Sequence, residues 1–273
     1  MKATFITNIF VKITDASVRL RQFLWRWVYN LIAKRDKQGH FLFMNYGYYD
    51  QAETPLALNP EDEMYRAYIN LYNHVIQDVD LQSKCLVEVG CGRGGGGSFI
   101  VRYKNPLSYT GVDLSDQAIS WCQKTFNSPA MSWKQGSAES LPIPDDSVDV
   151  VINVESSHCY PSMPNFLSEV KRILKSQGYF AYCDMRRLPG LPEVEHAIQN
   201  CGLQIFKQED ITSQVLNSLD HTSAQRDAEV TAVFHPLFQS TFRAFAGVKD
   251  TTVYNMLKNG EMKYFSYLLR KNG

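Results

Sequence analysis

The chain of 273 residues has six cysteines (Cys85, Cys91, Cys122, Cys159, Cys183 and Cys201) but no C-x-x-C pair. That argues against a zinc site, and no metal is expected. Most of the six lie in apolar runs, the setting of reduced, buried thiols in a cytoplasmic protein. The chain has no uninterrupted apolar stretch of about 18 residues, so no membrane-spanning helix is expected. Its N-terminus has neither the clean apolar core nor the small-residue cleavage site of a secretory signal. Charge of one sign is also missing. The 28 basic and 28 acidic residues cancel, which excludes wholesale nucleic-acid binding as an expectation. No internal repeat or low-complexity segment is visible.

With 44% hydrophobic and 21% charged residues, the chain should fold around a substantial core. Its length suits one large domain with a cap, or two small ones. Residues 1–37 stand apart. Lys2, Lys12, Arg19, Arg21, Arg26, Lys34, Arg35 and Lys37 face only Asp15 and Asp36, and Phe5, Phe10, Phe23, Trp25, Trp27 and Tyr29 are interleaved. A basic aromatic helix of this kind can lie on an anionic membrane surface. It can equally pack as a lid over a substrate mouth, and the composition leaves both readings open.

The densest signal is Cys85-Leu-Val-Glu88-Val-Gly90-Cys-Gly92-Arg-Gly94, followed by Tyr109-Thr-Gly-Val-Asp113-Leu114. It reads as an apolar strand, a glycine turn, a helix, and a second strand ending in an acid. This is the first half of a nucleotide-binding α/β fold, with Asp113 placed to accept ribose hydroxyls. Gly90, Gly92 and Gly95 fit G-x-G-x-x-G, a pattern that alone does not choose the nucleotide. Charge chooses it. An acid at Glu88 would repel a pyrophosphate but favour S-adenosylmethionine, which has no phosphate and carries a sulfonium and an ammonium. Four consecutive glycines, Gly94 to Gly97, are costly at a helix start, and the expectation is that a ligand requires them.

Beyond this motif, strands are expected at 85–90, 108–113, 130–135, 148–153, 178–184, 203–209 and 261–270. Helices are expected near 60–79, 96–103, 115–126, 164–175 and 191–201, with Ser115 as an N-cap and Pro164 in a first turn. The alternation predicts a Rossmann-like, seven-stranded, mostly parallel sheet covered on both faces. The expected division is an N-terminal helical lid or substrate segment at 1–83 and a cofactor-binding core at 84–210. A helical cap at 211–258 and a final core strand at 259–273 complete it.

In such a sheet, ligands bind outside the carboxyl ends of the strands. The loops there hold Gln135-Gly-Ser137-Ala138-Glu139, Asn153-Val-Glu155-Ser-Ser-His158-Cys-Tyr160, and Cys183-Asp184-Met-Arg-Arg187. The expected cofactor-binding residues are Glu88, Gly90, Cys91, Gly92, Gly94, Asp113, Leu114, Ser137, Ala138, Glu139, Asn153 and Tyr46. Methyl transfer from a sulfonium is an in-line displacement, and an alcohol acceptor needs a positioned base. His158 is the candidate, because its ordinary pKa lies near working pH. Asp184 or Glu155 would orient its ring. A plain hydrogen-bonded loop histidine is the alternative reading of His158. Tyr46, Tyr48, Tyr49 and Tyr160 are candidates to wall a cation or an apolar substrate. Phe234, Phe238, Phe242 and Phe245 are candidates for a lipid-like pocket or, more plainly, a core face.

These residues resemble a class I S-adenosylmethionine-dependent methyltransferase over residues 84–184. The resemblance rests on Glu88-Val-Gly-Cys-Gly-Arg-Gly94, Gly111-Val-Asp113-Leu-Ser115, Gly136-Ser-Ala-Glu139-Ser-Leu-Pro142 and Asp149-Val-Val-Ile-Asn153. Over about residues 40–270 the chain is similar to the phthiotriol/phenolphthiotriol dimycocerosates methyltransferases and relatives that O-methylate polyketide or peptide–polyketide products. The quoted segments are Phe43-Met-Asn45-Tyr-Gly-Tyr48, Ala67-Tyr-Ile-Asn-Leu-Tyr72, Ser108-Tyr-Thr-Gly-Val-Asp113, Asn153-Val-Glu-Ser-Ser-His-Cys-Tyr-Pro161 and Gly178-Tyr-Phe-Ala-Tyr182. The resemblance implies S-adenosylmethionine as cofactor and methylation of a secondary hydroxyl on a long hydrophobic substrate. Ser137 departs from the pattern, standing where many class I enzymes carry an Asp beside adenine. The basic N-terminus does not follow from the resemblance. Rival readings are a C- or N-methyltransferase of a sterol, quinone or amine, a non-catalytic cofactor-binding protein, and, more distantly, a nicotinamide dehydrogenase.

Overall fold

The computed structural model describes residues 41–273. The basic aromatic segment, and with it the membrane-or-lid expectation for residues 1–37, lies outside the described residues.

Seven strands form one sheet: β1 (Cys85–Val89), β2 (Ser108–Asp113), β3 (Met131–Gln135), β4 (Val148–Val154), β5 (Leu174–Arg187), β6 (Gln204–Asp210) and β7 (Met262–Arg270). Their order is β3-β2-β1-β4-β5-β7-β6. The first five run parallel, while β7 pairs antiparallel with both β5 and β6. The strand order reverses between β1 and β4, and a ligand crevice opens at the carboxyl ends of strands at such a switch point.

The helices are α1 (Arg66–Ile76), α2 (Gly95–Lys104), α3 (Asp116–Thr125), α4 (Met163–Ile173), α5 (Leu191–Gln199), α6 (Thr212–Val233), α7 (Pro236–Phe245) and α8 (Thr252–Lys258). Two apolar layers sandwich the sheet because alternate strand side chains point to opposite faces. Leu86, Val150, Ile152 and Ala181 pack with Ile69, Leu71, Phe99, Ile100 and Leu219. Val87, Val151, Phe180 and Tyr182 pack on the other face with Phe166, Val170 and Ile198. Local chemistry sets the element ends. The Ser115 hydroxyl accepts the Ala118 amide at 3.2 Å and caps α3, and Pro164 sits in the first turn of α4. Among the described residues no helix is long and apolar enough to cross a membrane.

The glycine run, expected to serve a ligand, also has a packing reason. A Cβ at Gly96 would stand 2.1 Å from the Tyr72 ring, and one at Gly97 would stand 2.4 Å from the Tyr109 ring. Both tyrosines pass over the start of α2 to reach Glu88 below it. The Tyr72 hydroxyl donates to Glu88 Oε1 at 2.7 Å, and the Tyr109 hydroxyl donates to Oε2.

Candidate active site

At the carboxyl ends of β1 and β4 a cleft opens. Gly90 and Gly92 form its floor, in left-handed conformation at φ 76° and 51°. A Cβ at Gly90 would meet Ser156 Oγ at 2.2 Å, so only glycine lets the turn pass under the β4 loop. Asp113 ends β2 on the cleft wall. Its Oδ2 accepts the Gly92 amide at 2.9 Å and its Oδ1 accepts the Ser115 amide at 2.8 Å. Burial raises the carboxyl's pKa, and the amides of Ser115, Gly92 and Leu114 oppose that rise. Leu114, Ser137, Ala138 and Glu139 continue the wall. The charged groups on it are Asp113, Glu139 and Glu155 against Arg93, whose guanidinium lies 3.8 Å from the Trp121 ring. A net-acidic, glycine-floored cleft suits a cationic nucleoside-like ligand.

A second cavity adjoins it. Phe43, Met44, Asn45 and Glu155 line both. Its remaining walls are largely apolar or aromatic: Phe41, Tyr46, Tyr68, Met185, Phe242 and Phe245, with His158, Arg226 and Glu229 among the polar groups. α6 and α7 supply one side of it. Phe242 stacks on Phe234 with ring centroids 3.5 Å apart.

His158 faces this second cavity from the loop after β4, and the fully buried Asp184 of β5 holds it. His158 Nδ1 lies 2.8 Å from Asp184 Oδ1, and the His158 amide donates to Oδ2 at 2.9 Å. The Ser157 hydroxyl (2.5 Å) and the Met185 amide (2.8 Å) also donate to Asp184, and Arg186 Nη1 stands 3.1 Å away. Burial works against the Asp184 charge. Arg186, His158 and the hydrogen bonds outweigh it and hold the carboxyl well below the usual range. For His158, burial pulls the imidazole down, but Cys159 and Asp184 push it well above its ordinary value. Glu155 has φ 48°. Its Oε1 accepts the Tyr46 amide at 2.5 Å and the Tyr264 hydroxyl at 2.6 Å. Burial pushes it up to about 7, and those two bonds limit the rise.

A methyltransferase domain family matches residues 87–182. The phthiotriol/phenolphthiotriol dimycocerosates methyltransferase of Mycobacterium leprae (strain TN) is 38% identical over 250 residues, covering 91% of this chain and 92% of that protein. The chain belongs to this family of class I S-adenosylmethionine-dependent methyltransferases. The fatty-acid O-methyltransferase of Mycolicibacterium smegmatis (strain ATCC 700084 / mc(2)155) is 33% identical and covers 93% and 92% of the two chains. The fold is shared with the geranyl diphosphate C-methyltransferase of Streptomyces coelicolor A3(2) in complex with S-adenosyl-L-homocysteine. There the TM-score is 0.65 at 17% identity, over 92% of this chain and 97% of that one.

In this methyltransferase the cofactor is S-adenosylmethionine, and the acidic cleft is the cavity whose floor and charge suit it. Of the residues expected to touch the cofactor, Gly90, Cys91, Gly92, Asp113, Leu114, Ser137, Ala138 and Glu139 line that cleft. Four do not. Glu88 lies fully buried beneath the turn, engaged by two tyrosines rather than facing the cleft, and burial pushes it up to about 7. Gly94 turns the chain into α2 against Trp133 and Phe126. Asn153 is fully buried and donates to the Val89 carbonyl (2.8 Å) and Ser156 Oγ (2.7 Å), bracing the β4 loop onto the glycine turn. Tyr46 borders the second cavity and donates to the Phe245 carbonyl at 2.8 Å.

The ring partner left open between Asp184 and Glu155 is Asp184, since Glu155 is committed to Tyr46 and Tyr264. Tyr160 lines the same cleft, whereas Tyr48 stacks on His74 and Tyr49 packs at a tilt against His221. Sequence reading did not single out Met44, Asn45, Arg93, Ser156 and Arg226 for these walls. Met44, Asn45 and Arg226 arrive from segments without a glycine-turn or strand-end signature, and a local pattern has no means of finding them, whereas Arg93 and Ser156 lie within the glycine turn and the loop after β4.

Proposed function

We propose that this methyltransferase transfers the methyl group of S-adenosylmethionine to a hydroxyl oxygen of a long, hydrophobic, lipid-like acceptor bound in the second cavity. His158 serves as general base and Asp184 orients it. Support comes from the relatives, one named for dimycocerosate lipids and one for fatty acids, and from the apolar lining of the second cavity. The observation that carries the reading is the His158–Asp184 pair at 2.8 Å on the wall of a cavity that shares four lining residues with the cofactor cleft.

When bound, the cofactor supplies an electrophilic methyl group on a sulfonium. Asp113 and the Gly90–Gly92 turn hold its ribose and methionine ends, and Leu114, Ser137, Ala138 and Glu139 border the base. Phe43, Met44 and Asn45 form the partition across which the acceptor oxygen reaches the methyl group. His158 would take the proton that the acceptor hydroxyl gives up on methylation. Nδ1 is engaged by Asp184, so Nε2 receives it. The buried carboxylate stabilises the resulting imidazolium.

The raised pKa of His158 sets the direction of the pH dependence. The ring gives up its proton at higher pH than a free imidazole, so turnover rises with pH until that proton is lost. The test uses isotope-labelled cofactor and a panel of long-chain hydroxylated lipids, with mass spectrometric detection of the methyl ether. His158→Ala should lower turnover by roughly 10²-fold or more while S-adenosylhomocysteine binds as before. Activity within a few-fold of the wild type would remove His158 as the base.

A further inference from the structure

Arg226 of α6 places a buried cation in the acceptor cavity. Its side chain is 4% exposed, and every hydrogen bond it donates goes to a neutral oxygen. Nε donates to Thr222 Oγ1 at 2.8 Å, Nη1 to the Ala246 carbonyl at 3.1 Å and Nη2 to the Asn45 carbonyl at 3.3 Å. The guanidinium carbon stands 4.8 Å from the Tyr68 ring centroid and 5.9 Å from that of Tyr46. Among the described residues no carboxylate lies within ion-pairing distance of it. Glu229, one turn further on, also lines the cavity, but its oxygens accept from Gln225 Nε2 at 2.8 Å and the Tyr68 hydroxyl at 3.5 Å.

Taking a guanidinium out of water is costly unless an opposite charge meets it. Arg226 has five N–H groups, and its three bonds to protein leave donor capacity beside an open, apolar space. The Asn45 carbonyl it bonds belongs to a residue that borders both cavities, which puts the cation near the partition.

We propose that Arg226 is a specificity-determining residue that binds a carboxylate of the acceptor. The acceptor class is then a long acyl chain bearing both a carboxylate and the hydroxyl to be methylated. The proposal rests on the second cavity being the acceptor site, as argued above. A carboxylate fits where a phosphate does not. A single negative charge balances one guanidinium, and a second would have no cation to meet it there.

Binding tests this without turnover. The full-length protein, saturated with S-adenosylhomocysteine, is titrated with palmitate and with methyl palmitate, which differ chiefly in charge at one end. The wild type should bind palmitate at least about tenfold more tightly. Arg226→Met should abolish that preference by weakening palmitate alone, and Arg226→Lys should keep part of it. S-adenosylhomocysteine calorimetry on each variant reports whether the fold survives. If Arg226→Met does not fold, the wild-type comparison and Arg226→Lys decide. Equal wild-type affinity for the two probes, or an equal loss of both in Arg226→Met, would overturn the proposal. A protein that prefers palmitate yet methylates no hydroxylated lipid sinks the hydroxyl-transfer reading and leaves Arg226 standing. One that methylates such lipids without charge preference does the reverse.

Discussion

Replacing Asp184 by Asn removes one charge and almost no volume from a densely hydrogen-bonded group beside the second cavity. In the wild type this fully buried carboxylate faces His158 at 2.8 Å and Arg186 at 3.1 Å, and it accepts three further hydrogen bonds. The two cations respond differently to its loss. His158 relieves its share by giving up a proton. Arg186, with a side chain only 13% exposed, stays charged at any accessible pH. Breaking a buried pair from one side costs about 3–5 kcal/mol. In a chain of this size that lowers Tm by roughly 6–20 °C.

The imidazole loses a fixed anionic partner while its burial persists, so its pKa falls. The sign follows directly. Wild-type His158 is protonated in the fold at a pH where the unfolded chain has released the proton. It therefore adds stability that is complete below the unfolded value and fades as pH rises through the folded one. In Asp184→Asn that contribution disappears. Urea denaturation gives the stability loss, and NMR of nitrogen-labelled histidine gives the titration, with His158→Gln assigning the resonance among six histidines. A variant as stable as the wild type, with His158 titrating at an unchanged pH, would refute the ion-pair account of this site.

Asp113→Ala should weaken S-adenosylhomocysteine binding about 10- to 100-fold by calorimetry, because a charged hydrogen-bond acceptor leaves the cleft wall; unaltered affinity would remove it from the ribose site. Glu88 and Glu155 both keep their protons to about 7 in the fold, whereas an unfolded Glu releases its proton near 4.3. The native state binds more protons across that window, so stability falls as pH rises from about 4.3 to 7. Glu88→Gln should flatten part of that fall in denaturation midpoints taken at pH 5 and pH 8, and parallel losses in the two proteins would contradict it.

The sequence alone determined the sheet. Cys85–Val89 and Val148–Val154 are short, largely apolar runs separated by helical spacing, and a parallel arrangement buries both their faces. It also determined the cleft floor, since Gly90, Gly92 and Asp113 announce themselves by local chemistry at fixed spacing. His158 and Asp184 were legible as candidates for a related reason: both follow strands whose carboxyl ends must converge.

Only the tertiary structure decided which acid holds the imidazole, because Glu155 and Asp184 look alike in the chain. It drew Glu88 into the core, where Tyr72 and Tyr109 take both of its oxygens and the glycine run gives their rings room. It placed Tyr46 on the wall of the second cavity. It also brought Asn45, Glu155 and Arg226, spread over 181 residues of separation, around one cavity. A strand or a turn is written in neighbouring residues. The charge and shape of a pocket depend on side chains that meet only after distant segments pack, and no local pattern records that meeting.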